Sequence, residues 1–413
     1  MATAFPTPRQ LEYQDWECGM FLHFGLRTFH EGFRDFDERK MSVDAFQPSA
    51  LDCENWAATA KAAGMKYVVL TAKHHDGWAN WPTDTTAFGV RQAPWRDGQG
   101  DVIAEYFAAC RKHGLAVGLY YSPYDADCPV YADPKAYDDY FINQISELLV
   151  PYGPLDILWF DGCGSGEHQY DWPRIVSEIR RLQPNLLIFS MGDPDFTWVG
   201  NECGLAPWPC WHTRPGVPYA ELTQHSGAMG PVWLPAECDV RMRESNWFYS
   251  DQDGHTVKSV EELLGLYYYS VGRGCNLLLN FGPDRRGLLP DLDAARLLEF
   301  GAEVRRRFGR PSFDLSAFQP VEGGLEYRGE AFLVDHVILQ EDLTQGERIR
   351  RFAIEVVPTH GGDAIVVYEG HNVGHKAICR FPLVKTRGLR LRFVETAGEV
   401  QLRSLTVHDS TAG

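Results

Sequence analysis

Positive charge is scarce in this chain. Its 413 residues set 39 Lys and Arg against 56 Asp and Glu, a formal net charge of -17. Nucleic-acid phosphates are bound by basic surfaces, so nucleic acid is excluded as a partner, and a neutral or cationic ligand fits. Cys-x-x-Cys is missing although there are ten cysteines. Several of them (Cys18, Cys110, Cys275) stand inside apolar runs, as buried free thiols do. Free thiols and a reducing cytoplasm are therefore expected. Met1-Ala2-Thr3-Ala4-Phe5-Pro6 has neither the basic nor the apolar region of a signal peptide. No apolar run is long enough to span a bilayer, so no membrane partner is expected. No Gly-x-Gly-x-x-Gly or Walker loop follows a strand candidate, which leaves nucleotide binding without support. Internal repeats and low-complexity segments are also missing, and nothing fixes an oligomeric state.

What is present describes a large folded protein. Residues are 44% hydrophobic and 23% charged, enough to bury a sizeable core. Aromatics reach 13%, with 12 Trp and 18 Tyr. Most such rings fill cores, but rings also receive the apolar faces of sugars. Strand candidates are Gly19–Phe24, Tyr67–Thr71, Val117–Ser122, Ile157–Asp161, Leu186–Ser190, Pro209–His212, Val232–Ala236 and Asn276–Phe281. Helices with readable ends lie between them. Asp101 caps one that closes at Gly114, Asp133-Pro134 opens a second, Asp171 with Pro173 a third, and Ser259-Val260-Glu261-Glu262 reads as a capping box. About eight alternating strand and helix units predict a closed (β/α)₈-like barrel over residues 1–311, with an open doubly wound sheet as the alternative. From 312 to 413 the pattern changes to short β-branched runs between turns, which predicts a β-sandwich.

In such a barrel, chemistry sits at the C-terminal ends of the strands. Polar residues recur there: His23, His74, His75, Asp76, Tyr121, Asp161, Glu202 and Glu237. Each alone is more often a cap or a structural partner; the repetition across strands is the signal. Asp161 is the sharpest case. Strand alternation puts Ile157, Trp159 and Asp161 on one face, where an idle carboxylate would be costly to bury. Glycoside hydrolysis needs a second carboxyl group, and Glu202 and Glu237 are both candidates. The proton donor of such a pair needs burial to raise its pKa, and Trp198 offers Glu202 an apolar wall.

Four ordered motifs, Cys18-Gly19-Met20-Phe21-Leu22-His23-Phe24-Gly25, Lys73-His74-His75-Asp76-Gly77-Trp78, Tyr120-Tyr121-Ser122-Pro123 and Trp159-Phe160-Asp161-Gly162, resemble glycoside hydrolase family 29, the α-L-fucosidases. Trp198–Glu202 and Asn276–Gly282 also match, as do Leu339-Gln340-Glu341-Asp342 and Gly346-Glu347-Arg348 beyond the barrel. The likeness is closest to the subgroup acting on branched α-1,3/4 fucosides. The resemblance implies a retaining double displacement without metal or cofactor, acting on a fucosylated oligosaccharide or glycoconjugate. Asp161 matches the nucleophile and Glu202 the acid/base. His23, His74, His75, Trp78, Tyr121 and Trp159 match sugar-pocket positions, with Glu237, Arg241 and Trp247 as further substrate contacts. One segment departs from the family. Its usual Glu-Trp pair after the first strand is replaced by Arg34-Asp35-Phe36-Asp37-Glu38-Arg39-Lys40-Met41, and Thr197 stands where an Arg often precedes Trp-Val-Gly-Asn-Glu. That leaves room for a related sugar such as an α-L-galactoside, or for a non-catalytic fucose-binding protein. A metal-dependent sugar isomerase built on His74, Asp76, Asp161, Glu202 and Glu237 is the competing enzyme class.

Overall fold

The computed structural model describes residues 4–32, 40–166, 168–216 and 229–411. Eight parallel strands form the first sheet: β1 (Cys18–Leu22), β2 (Tyr67–Lys73), β3 (Ala116–Tyr121), β4 (Ile157–Phe160), β5 (Leu187–Phe189), β6 (Thr197–Trp198), β9 (Ala236–Arg241) and β10 (Asn276–Phe281). Their order is β5-β4-β3-β2-β1-β10-β9-β6. The seam between β5 and β6 is bridged at Phe189 and Phe196, so the sheet rolls into a nearly closed barrel. A short hairpin, β7 (Thr213–Gly216) with β8 (Met229–Trp233), intervenes before β9.

Two strand expectations are corrected here. Pro209–His212 is not a strand; the sixth barrel strand is the two-residue β6, too short for any periodicity to show. Residues 232–236 are not the seventh: Pro235 lacks a donor and ends that run, and the barrel strand starts at Ala236.

The helices begin where their caps predict. α3 (Val102–Lys112), α4 (Pro134–Leu149) and α5 (Trp172–Leu182) carry Asp101, Asp133 and Asp171 as N-caps, and α6 (Val260–Tyr269) has the full Ser259–Glu262 capping box. α2 (Cys53–Ala63) and α7 (Asp291–Phe308) complete the outer layer. α1 (Pro8–Trp16), which periodicity did not reveal, is placed by a Thr7–Gln10 capping box and closes the barrel floor. Its Tyr13 enters the inner core with Phe21, Tyr67, Tyr120, Ile157, Trp159, Phe189 and Leu278. Leu158, Phe160 and Tyr121 face outward into the helix layer. Strand alternation thus sorts each strand between an inner and an outer core. No helix among the described residues is long and apolar enough to cross a membrane.

The second sheet is antiparallel: β11 (Phe313–Asp314), β12 (Gln319–Val321), β13 (Gly324–Glu341), β14 (Ile349–Val357), β15 (Ile365–Gly370), β16 (Ala377–Thr396) and β17 (Leu402–His408). Runs expected as separate strands are fused in β13 and β16, whose pairing shifts register between Arg328 and Phe332 and again between Val334 and His336. Bulges of this kind bend a strand, and one long sheet then wraps its own core of Val334, Leu339, Phe352, Ile354, Leu391 and Val407. Ile338 and Ile378 pack into the barrel's outer core instead, tying the two parts together.

Candidate active site

A cavity of about 740 Å³, including its open mouth, sits at the C-terminal ends of the barrel strands. Its walls include His23, His74, His75, Tyr120, Trp159, Asp161, Trp198, Glu202, Asp239 and Trp247. Of the residues singled out in the sequence, the cavity therefore collects both proposed catalytic carboxylates, three histidines and three tryptophans.

Asp161 follows the last residue of β4, on the face shared with Trp159. Its Oδ1 accepts from the Cys163 backbone N–H at 2.9 Å and its Oδ2 accepts from the Tyr120 hydroxyl at 2.8 Å. His75 Nε2 stands 3.5 Å from the same Oδ2. The carboxylate is thus aimed by three groups, while its side chain stays 28% exposed toward the cavity.

The histidines are fixed from behind. His23 Nδ1 meets Asn280 Oδ1 at 2.6 Å, and His75 Nδ1 meets Ser122 Oγ at 2.7 Å. His74 Nδ1 accepts from Arg27 at 3.2 Å, which leaves its Nε2 carrying the proton. Burial and the neighbouring His75, Arg27 and His23 push the His74 pKa well down, so this ring is a neutral donor. It stacks on Tyr120, and Tyr120 in turn on Trp159. Ser190, also in the wall, holds a left-handed backbone at φ 65°, a conformation seldom kept by a non-glycine residue without surrounding constraint.

Strand β9 carries three polar residues on its inner face at three depths. Deepest is Glu237, 1% exposed. Its Oε1 accepts from Trp159 Nε1 at 2.8 Å, and its Oε2 from the hydroxyls of Tyr13 at 2.8 Å and Tyr67 at 2.7 Å. Asp239 comes next, lining the cavity and accepting from Trp198 Nε1 at 2.7 Å. Arg241 is outermost, its guanidinium 5.5 Å over the Trp247 ring. Burial raises the carboxyl pKa of both Glu237 and Asp239, that of Asp239 strongly, with the charges of Glu237 and Glu202 adding to the effect.

Four assignments change as a result. Tyr121 is not a pocket residue: strand alternation turns it outward, where its hydroxyl donates to Gln144 at 2.6 Å and receives Lys73 Nζ, and Tyr120 takes the cavity position. Trp78 is not one either. Gly77, at φ 84° and with Asp125 where a Cβ would stand, turns the chain so that Trp78 packs on Phe46 and donates to Asn80. Glu237 lies against Trp159, 1% exposed and outside the cavity wall. Arg241 lies over the Trp247 ring and is not among the residues lining this cavity. Glu202 does line the cavity but is exposed, not walled in by Trp198, whose ring N–H is committed to Asp239. Asp239 and Tyr120 were missed in the sequence, although alternation from Glu237 and from Trp159 marks both. The altered segment after the first strand falls at 33–39, outside the described residues.

The five residues of the isomerase alternative do not converge. Asp76 accepts from the Trp78 backbone N–H beneath the histidines, and Glu237 is sealed in the floor.

Known proteins similar to this chain share one family name. The family described as Alpha-L-fucosidase matches residues 30–307. The chain is similar to Alpha-L-fucosidase 1 of Arabidopsis thaliana, 34% identical over 428 residues that cover 94% of this chain and 84% of the relative. Among solved structures it is similar to a glycoside hydrolase 29 family member from an unknown rumen bacterium. That likeness has a TM-score of 0.90 and 32% identity, and covers 98% of this chain and 77% of the other.

Proposed function

The chain belongs to the α-L-fucosidase family and is a glycoside hydrolase, and from that premise we propose that it is an exo-acting, retaining enzyme releasing terminal L-fucose from α-1,3/4-linked oligosaccharides. The observation that carries this reading is the setting of Asp161. A carboxylate held on one oxygen by a backbone N–H and on the other by Tyr120, at the mouth of a cavity walled by histidines and aromatic rings, is arranged to attack a sugar carbon. In the proposed double displacement, Asp161 forms the glycosyl ester while the Glu202 carboxyl protonates the departing oxygen. Glu202 then takes a proton from the water that opens the ester, returning L-fucose with its anomeric configuration retained. His23, His74 and His75 suit the sugar hydroxyls, and Trp159, Trp198 and Trp247 its apolar face and methyl group. Glu202 sits at the open rim, where an aglycone leaves.

The test is turnover of an aryl α-L-fucoside by Asp161→Ala with and without azide. Loss of turnover and its partial return with azide, as a fucosyl azide, supports the assignment; undiminished activity overturns it. A panel of aryl, linear and branched α-L-fucosides with an α-L-galactoside tests the linkage. Cleavage of the branched members alone supports the α-1,3/4 reading, and preference for the galactoside overturns the choice of sugar.

A further inference from the structure

Beneath the barrel floor, on the outer side of β9 and β10 and away from the catalytic cavity, lies a second cluster of chemically capable groups. Cys210, His212 and Cys275 bring one ligand atom each within 4.8 Å of one another. Cys210 Sγ and Cys275 Sγ are 3.4 Å apart. All three residues are buried, at 3%, 0% and 2% exposure, and His212 Nε2 has no hydrogen-bond partner there. Cys238, fully buried on the outward face of β9, belongs to the same small apolar group with Ala206 and Ala236.

We propose that Cys210, Cys275 and His212 form a structural site for a soft d¹⁰ cation, Zn²⁺, with Cys238 as the adjacent fourth sulfur. Tetrahedral zinc with Zn–S bonds of about 2.3 Å separates its sulfurs by roughly 3.7 Å, so a small outward move of the pair admits the ion. Two thiolates, a neutral imidazole and Zn²⁺ sum to zero charge, which suits the apolar surroundings. The extra charge of a third thiolate would be met by the nearby Arg214, whose Nε is buried without a hydrogen-bond partner. Contact with Cys275, together with burial, holds the Cys210 thiol well above its ordinary pKa. Zinc binds thiolates, so loading the site would release the thiol protons to solvent.

The outer partners of a metal site are also in place. The Gln14 amide lies 2.9 Å from His212 Nδ1. With its oxygen turned to the ring, at the expense of the 3.3 Å bond from Trp233, it accepts Nδ1–H and frees the Nε2 lone pair for the ion. Glu347 accepts from the His212 and Thr213 backbone N–H groups, and Asn372 donates to the Cys210 carbonyl. The ion would join three parts of the chain: the segment after Glu202, the start of β10 and, through Glu347 and Asn372, the second sheet.

The test is elemental analysis of the purified enzyme, followed by stripping with chelator and reductant and reloading with Zn²⁺ or Co²⁺. The expected result is one equivalent of zinc per chain, a rise of several degrees in melting temperature on Zn²⁺ addition, and a thiolate-to-cobalt absorption band in the near ultraviolet. Both responses should be lost in Cys275→Ala and His212→Ala, and the metal retained in Asp161→Ala, so that the proposal stands apart from the catalytic assignment. Wild-type protein that neither retains metal nor gains stability on reloading overturns it, even if the variants fail to fold. So does a cobalt band that survives in Cys275→Ala, or a thiol count after unfolding that is short by two, which would mean a disulfide.

Discussion

The floor and the mouth of the barrel are built from the same materials and treat them in opposite ways. Both set a carboxylate among aromatic rings. At the floor, Glu237 receives three hydrogen bonds, from Trp159, Tyr13 and Tyr67, and both of its oxygens are used. At the mouth, Asp161 receives two, keeps a histidine at 3.5 Å and stays open to the cavity. A hydrogen-bonded carboxylate sealed away from the cavity holds a structure together, whereas a hydrogen-bonded one that faces the cavity can still meet a substrate. Exposure to the cavity, 28% for the Asp161 side chain against 1% for Glu237, more than hydrogen bonding or residue type, separates the two roles.

That contrast breaks most directly at Asp161. Asp161→Asn should lower kcat by at least on the order of 10³-fold while moving stability by no more than about 0.5 kcal/mol, since the amide oxygen can still accept from Tyr120 or Cys163. Steady-state kinetics beside a urea titration decides it. A variant that is inactive because it is unfolded would erase the distinction. Glu237→Ala should do the reverse. Three buried donors lose their acceptor, a cost of about 3–5 kcal/mol, visible as a lower urea midpoint, with turnover per folded molecule falling far less than in Asp161→Asn. Glu237→Gln should recover much of that loss, because the two tyrosine hydroxyls can turn to accept. Unchanged stability in Glu237→Ala would refute a structural role.

Asp239 stands between the two regimes and sharpens the comparison through pH. Its pKa in the fold lies above the ordinary carboxylate value, chiefly through burial. A raised carboxyl favours folding while protonated; the penalty begins as pH rises past the unfolded value of about 4 and is complete above the folded value. Asp239→Asn removes the penalty and keeps an acceptor for Trp198. Its stability relative to wild type should therefore improve from pH 4 to pH 7. A difference that stays flat over that range, followed by urea titration at several pH values, would show that Asp239 is solvated as freely as a surface residue.

Much of this was legible in the sequence, for identifiable reasons. Asn276–Phe281 was read to the residue because a continuous apolar run has clear ends, and Asp101, Asp133, Asp171 and Ser259 mark helix starts by a local hydrogen bond that needs no tertiary context. β6 was not legible, since two residues carry no period and its pairing with β9 is a long-range event. In the site, motifs gave Asp161, the histidines and Glu202 but not depth. Glu237 and Asp239 differ by two residues on one strand, and only the contacts from Tyr13 and Tyr67 below and Trp198 above show which is sealed and which is open. The outward turn of Trp78 depends on a left-handed Gly77 packed against Asp125, a contact between separate loops.

Tyr120 and Tyr121 offer the finest version of the comparison, because neighbours on one strand face the two cores. Register pairs Tyr120 with Trp159 across the ladder, so both point into the barrel, and the Tyr120 hydroxyl reaches Asp161. Tyr121 points the other way, between Lys73 and Gln144. Tyr120→Phe removes one hydrogen bond to a charged group at the mouth, so kcat/KM should fall about tenfold, the equivalent of roughly 1.4 kcal/mol, with stability nearly unchanged. Tyr121→Phe should leave kcat/KM intact and cost about 1 kcal/mol of stability, because Gln144 and Lys73 lose a buried partner. Kinetics and urea midpoints on the two variants form a crossed pair. If Tyr121→Phe were the one to lose activity, the strand would have to be turned over, and with it the alternation that places Trp159 and Asp161 at the cavity.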